Sequence, residues 1–143
     1  MATYVVATVD EIPPGGRKLV TVAGLSIGVF NLNGSYYALL NRCPHQGGPL
    51  CTGRQHGFIE SSAPGDYHYS RKDEILRCPW HGWEYDIKTG QSWFDPAVVR
   101  VRSYDAGIQP GRVLVAEGYQ QGPYVAQTYP VSVDQDYVVV EIG

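Results

Sequence analysis

Cysteine is scarce: Cys43, Cys51 and Cys78 are the only three in 143 residues. Three cannot close a disulfide framework, and a chain of this length builds a core without one. Positive charge is scarce too, with 11 Lys and Arg against 14 Asp and Glu and a net charge of −3. A chain that grips a phosphate backbone is ordinarily basic, so nucleic acid is not the expected partner. Long apolar runs are missing. The most apolar stretch, 19–40, is interrupted by Thr21, Gly24, Ser26, Asn31, Asn33, Gly34 and Ser35, whereas a membrane-spanning helix needs about 20 mainly apolar residues. Residues 1–10 lack the basic start and apolar stretch of a signal peptide. The expectation is a soluble, cytoplasmic protein with no membrane contact. No H-E-x-x-H, Cys-x-x-Cys or phosphate-cradling glycine loop is present. Length excludes a large multidomain enzyme and fits one domain. Hydrophobic residues at 43% against 17% charged supply a core and argue against global disorder.

What is abundant is punctuation. Seventeen glycines and ten prolines interrupt nearly every stretch, and no window of helical length shows a clean 3.6-residue period. The runs between breakers are short and rich in Val, Tyr, Ile and Thr, as strands are. Leu25–Leu40 reads as a hairpin across Asn33-Gly34, and a closing hairpin is expected from Tyr129–Val133 and Tyr137–Ile142 across residues 134–136. Tyr4–Thr8, Lys18–Val22, Glu84–Ile87, Val98–Arg102 and Arg112–Ala116 are further candidate strands, with a turn at Lys88-Thr89-Gly90. The expected class is all-β, a sandwich or small barrel. Thr52–Asp73 and Tyr104–Gln127 read as long extra loops, which in compact domains tend to carry function.

The chemistry concentrates in two turns. Cys43-Pro44-His45 opens one and Cys78-Pro79-Trp80-His81 opens the other. Each places a thiolate and an imidazole within one tight loop, with glycine following at Gly47, Gly48 and Gly82. Glycine lets backbone N–H groups approach a sulfur or a metal closely. Two sulfur and two nitrogen ligands suit tetrahedral zinc. They equally suit a [2Fe–2S] cluster with two Cys on one iron and two His on the other. Zinc fingers usually pair like with like in each turn, whereas each turn here mixes one Cys with one His.

These turns resemble those of Rieske-type ferredoxins. The likeness runs through Asn41-Arg42-Cys43-Pro44-His45-Gln46-Gly47-Gly48-Pro49-Leu50 and Cys78-Pro79-Trp80-His81-Gly82-Trp83-Glu84-Tyr85-Asp86, then through Thr89-Gly90, and covers about two thirds of the chain. The resemblance implies a single Rieske domain over 1–143: an antiparallel β-sandwich or barrel base from 1–42 and 87–143, with a small cluster-binding lobe at about 43–86. It implies Cys43 and Cys78 on the buried iron of one [2Fe–2S] cluster, and His45 and His81 on the outer iron, which changes valence. It implies an electron carrier, not an enzyme in isolation, which passes electrons from a flavin-containing reductase to a terminal oxygenase. A second reading is a small Rieske-like subunit of a larger reductase, such as nitrite reductase, acting as an internal relay. A zinc-bound structural module is a third.

Two departures from the family pattern stand out. Residues 46–77, 32 in all, separate His45 from Cys78. That is about twice the separation the resemblance implies, and the excess falls in 52–73. Respiratory and photosynthetic relatives carry an extra Cys in each cluster loop, joined as a disulfide. The corresponding positions here are Gly48 and Trp80. Cys51 reads as a small buried hydrophobe, His56 and His68 as solvated residues of the insertion, and Trp83 and Trp93 as packing residues. Only 62 residues follow His81, too few for an oxygenase's mononuclear-iron domain.

Overall fold

The computed structural model describes residues 2–44, 47–80, 82–93, 99–116 and 133–142. Its strands are β1 (Ala2–Thr8), β2 (Arg17–Val22), β3 (Leu25–Leu32), β4 (Ser35–Leu40), β5 (Arg54–Ala63), β6 (Asp66–Arg77), β7 (Glu84–Asp86), β8 (Ser103–Pro110) and β9 (Asp136–Ile142). The one α-helix among the described residues, α1, spans Gly111–Ala116. Chain contacts divide the protein into two compact units, one of residues 1–38 with 104–143 and the other of residues 39–103.

The first unit is built on a six-stranded sheet in the order β1-β9-β8-β4-β3-β2. In it β1 with β9, β9 with β8 and β2 with β3 pair antiparallel. Two hairpins form it locally. Asn33 and Gly34 take φ of 54° and 91° between β3 and β4, as a two-residue turn of the kind expected there requires. Ala23 and Gly24 turn β2 into β3 in the same way, with φ of 51° and 78°. The outermost strands meet as well: Lys18 Nζ on β2 donates to Val6 O on β1 at 3.0 Å, which curls the sheet toward closure. Val5, Tyr137, Val139 and Leu114 pack together in its interior.

Two expectations are corrected in this unit. Arg112–Ala116 is helix, not strand. Six residues are too few for a period to separate the two forms. Pro110 ends β8 because it lacks an amide donor, Gly111 N donates to Gln135 O at 2.7 Å, and Leu114 turns into the core. The start of the expected 104–127 loop is strand β8. Gly107 and Pro110 lower its apparent strand propensity, yet Asp105–Pro110 pairs continuously with β9. The closing hairpin is not among them, since its residues 129–132 lie outside the described ones. Over Asp136–Glu141 β9 is flanked on both sides, by β1 and β8. Residues 117–127 also lie outside.

The second unit contains a three-stranded antiparallel sheet, β5-β6-β7. Most of the expected 52–73 loop is hairpin: β5 and β6 pair from Arg54 opposite Arg77 to Ala63 opposite Asp66, turning at Pro64-Gly65 with Gly65 at φ 84°. The ladder is broken at Gly57, where it passes from His56 opposite Ile75 to Phe58 opposite Ser70, and its register shifts again between Ser61 and Ala63. The extra residues therefore lengthen two strands instead of forming a coil. The Val98–Arg102 strand is reduced to an isolated bridge between Gln91 and Arg100, with Val98 outside the described residues.

Candidate metal centre

Two loops of the second unit carry the expected cysteines. The first follows β4, and the second joins β6 to β7. Their backbones close identically. Cys43 N donates to Gly48 O at 2.8 Å, and Gly47 N donates to Cys43 O at 2.7 Å. Cys78 N donates to Trp83 O at 2.8 Å, and Gly82 N donates to Cys78 O at 3.0 Å. In each loop the cysteine bonds residues four and five positions on. In each loop the residue four positions on is a glycine in the left-handed region, Gly47 at φ 79° and Gly82 at φ 73°. That conformation costs an L side chain roughly 1–2 kcal/mol, and this is the reason for glycine at both places. An arginine precedes each cysteine, and its guanidinium lies against that glycine: Arg42 over Gly47 and Arg77 over Gly82.

The two loops meet. A Cβ placed on Gly48 would lie 3.2 Å from Cys78 Sγ and 2.8 Å from the Trp80 ring. The first loop's backbone thus rests on the second loop's sulfur. Cys43 and Cys78 are both buried, and neither is in a disulfide. Tyr85, the central residue of β7, is fully buried, with its Oη 3.2 Å from Cys43 Sγ. His45 and His81 lie outside the described residues. Among the described residues no three Cys, His, Asp or Glu side chains gather as a metal site.

Cys51 lies in a single 3₁₀ turn, Leu50–Thr52, with its amide on Asn41 Oδ1 at 2.8 Å and its sulfur 3.6 Å from Leu39 O. It is fully buried and braces the first loop from behind. His56, expected in solvent, is instead partly buried on β5, with Nδ1 2.8 Å from Gly57 O and Nε2 against Glu84 Oε2 on β7. The side chain of His68 is outside the described set. Trp80 and Trp93 are half-exposed, so Trp93 is not the packing residue expected. Sequence reasoning missed the two arginines, whereas Tyr85 was legible there as a candidate hydroxyl donor. Matched Arg-Cys-Pro triplets were the available signal for the arginines. By its letters Gly24-Leu25-Ser26-Ile27-Gly28 fits the nucleophile-elbow pattern. It lies on the β2–β3 hairpin, where Ser26 faces solvent and no strand-to-helix turn exists.

The donor chemistry fits an iron–sulfur cluster. Two buried thiols stand on loops of equal closure, and Gly48 of the first loop lies against the Cys78 sulfur with no side chain to intervene.

Comparison with known proteins agrees with this geometry. A family model of the Rieske [2Fe–2S] domain matches residues 2–105. The 3-phenylpropionate/cinnamic acid dioxygenase ferredoxin subunit of Photorhabdus laumondii is 24% identical over 121 residues, which is 85% of this chain and all of the relative. The ferredoxin component of the naphthalene 1,2-dioxygenase system of Pseudomonas aeruginosa is 27% identical over 73% of this chain and 86% of its own length. Among solved structures, the ferredoxin of carbazole 1,9a-dioxygenase from Nocardioides aromaticivorans aligns with a TM-score of 0.58 at 28% identity, covering 76% of this chain and 91% of that one.

Proposed function

The chain belongs to the Rieske [2Fe–2S] domain family, and from that premise we propose that it is the ferredoxin of an oxygenase system, carrying one electron at a time from a flavin-containing reductase to a terminal oxygenase. The observation that carries this reading is the pair of cysteine loops with the same closure, one resting on the other's sulfur. The similar proteins named above are ferredoxin components of dioxygenases, which favours this role over that of a relay subunit in a nitrite reductase.

In this proposal Cys43 and Cys78 hold the inner iron, and His45 and His81 hold the outer one. The bound cluster supplies a one-electron centre whose potential is raised because two neutral imidazoles replace two thiolates. The chain does the rest. Burial of Cys43 and Cys78 keeps water from the sulfurs. The left-handed Gly47 and Gly82 turn each loop back on its cysteine, and their amides donate to the carbonyls of Cys43 and Cys78. Tyr85 donates its hydroxyl proton to the Cys43 sulfur, which as a metal-bound thiolate has none to give. His45 and His81, as ligands of the outer iron, would give an electron its exit to a docked partner. The base and lobe assignments follow the same reading, with the lobe at about 43–86. The protein operates in the cytoplasm, where its three cysteines stay reduced. Among the described residues, no helix is long and apolar enough to cross a membrane.

The test is direct. Anaerobically purified protein is expected to hold about two irons and two acid-labile sulfides per chain. On reduction it should give an EPR signal whose mean g value lies below that of the free electron. Stoichiometric zinc without iron would overturn the reading.

A further inference from the structure

We infer that the end of the second unit that carries the cysteine loops is a docking surface for an acidic protein face, selected by Arg42, Arg54 and Arg77 around the exposed Trp80. The inference rests on the electron-carrier reading and names the chemistry of the partner.

The charge distribution is the first ground. The chain as a whole is negative by three charges. Yet within 39–53 and 75–83 the only acidic or basic side chains are Arg42 and Arg77, with Arg54 next in sequence. All three arginines are exposed. Geometry is the second. Arg42 Nε lies 3.5 Å from the Cβ position of Gly47, and Arg77 Nε and Nη2 lie 3.0 Å from that of Gly82. Each guanidinium therefore lies along its own cysteine loop instead of extending away from it.

The third ground is a cost left standing. Arg54 and Arg77 are directly opposed in the β5–β6 register, and like charges so placed repel. Glu84 lies opposite Arg77 on its other side, but its carboxylate goes to His56. Among the described residues no carboxylate ion-pairs with any of the three arginines. An anionic partner relieves that repulsion. Arginine suits this because its planar fork takes a carboxylate in bidentate fashion.

Apolar contact is available at the centre. Trp80 is 56% exposed and lies over Gly48, with Pro44 and Pro79 exposed beside the two cysteines. An exposed tryptophan on loops whose charged residues are arginines has the composition of an interface hot spot. Charges at such a rim govern encounter rate and salt dependence more than final affinity.

Stopped-flow oxidation of the reduced, cluster-loaded protein by hexacyanoferrate(III) tests the sign of the field at this end. One electron leaves the protein, giving hexacyanoferrate(II) and the oxidised carrier. If the arginines dominate, the rate falls as ionic strength rises; if the net negative charge dominates, it rises. The Arg42→Gln/Arg54→Gln/Arg77→Gln variant is expected to be about tenfold slower at low salt, while the triple Arg→Lys variant keeps most of the wild-type rate. Poly-L-glutamate is expected to slow the reaction competitively, and poly-L-lysine is not. A rate that rises with salt, a Gln variant as fast as wild type, or a Lys variant as slow as the Gln variant overturns the inference. Iron content and visible spectra accompany each variant, and wild-type protein without an iron–sulfur cluster overturns the electron-carrier reading itself.

Discussion

Tyr85 Oη lies 3.2 Å from Cys43 Sγ, linking the middle of β7 to the first cysteine loop, with both side chains out of water. A donor to a ligand sulfur stabilises the charge that reduction adds, so it raises the potential. Removing the hydroxyl alone, by Tyr85→Phe, keeps the ring and its packing. If the bond is stronger in the reduced state by about 1 kcal/mol, the potential falls by roughly 40 mV, since about 59 mV corresponds to a tenfold change for one electron. Voltammetry of the two proteins reads this directly. An unchanged potential would show that the contact does not reach the redox centre.

Gly48 and Trp80 occupy the positions that a disulfide joins in respiratory relatives. Here they are joined by packing, with the indole where a Gly48 side chain would go. Gly48→Ala must displace Trp80 or press on the Cys78 sulfur. Overpacking of this kind costs about 1–3 kcal/mol. The expected result is reduced iron content per chain and a lower unfolding temperature, with partial recovery in Gly48→Ala/Trp80→Ala. A fully loaded, equally stable Gly48→Ala protein would remove the packing argument.

Legibility in the sequence followed the range over which each signal acts. Asn33-Gly34 announced its hairpin because two adjacent residues carry the whole turn. The cysteine loops were legible because ligand types and Pro-Gly punctuation recur within a few residues. Leu114 was misassigned because its helix is held by contacts with Val5, Tyr137 and Val139, all distant in sequence. The 52–73 segment looked like coil because Gly57, Pro64 and Gly65 interrupt it, yet backbone pairing across the hairpin outweighs its composition. His56 was expected in solvent for the same reason, since Glu84 is brought to it only by sheet register.

Ligand substitutions separate the site from its surroundings. Cys43→Ser and Cys78→Ser are expected to abolish the visible spectrum, and His45→Ala and His81→Ala to abolish it or nearly so. Cys51→Ser is expected to keep it, at a stability cost of about 1 kcal/mol, because its buried sulfur lies 3.6 Å from the Leu39 carbonyl oxygen. Bleaching by Cys51→Ser, with full colour in one of the other four, would show that the ligands are misassigned.

The long hairpin offers the last test. Its ladder has two parts. Arg54–His56 pairs with Ile75–Arg77, and this inner part continues into β7, which leads away from the second cysteine loop. Beyond the break at Gly57, the outer ribbon from Phe58 opposite Ser70 to Ala63 opposite Asp66 pairs with no third strand among the described residues. Among the described residues the loops are tied to the inner part. Gly53, just before β5, approaches Arg77 so closely that a Cβ would overlap the Arg77 carbonyl oxygen. Gln55 Nε2 donates to Asp73 O at 3.0 Å, inside the break. Replacing 58–72 by an Asn-Gly turn therefore removes the ribbon and leaves every bond that shapes the Cys78 loop. The shortened protein is expected to keep its iron, its visible spectrum and a potential within about 20 mV of wild type, a shift worth roughly 0.5 kcal/mol for one electron. Loss of the cluster on this excision would show that the outer ribbon braces the loops, and that the inner three-stranded ladder is insufficient to hold them.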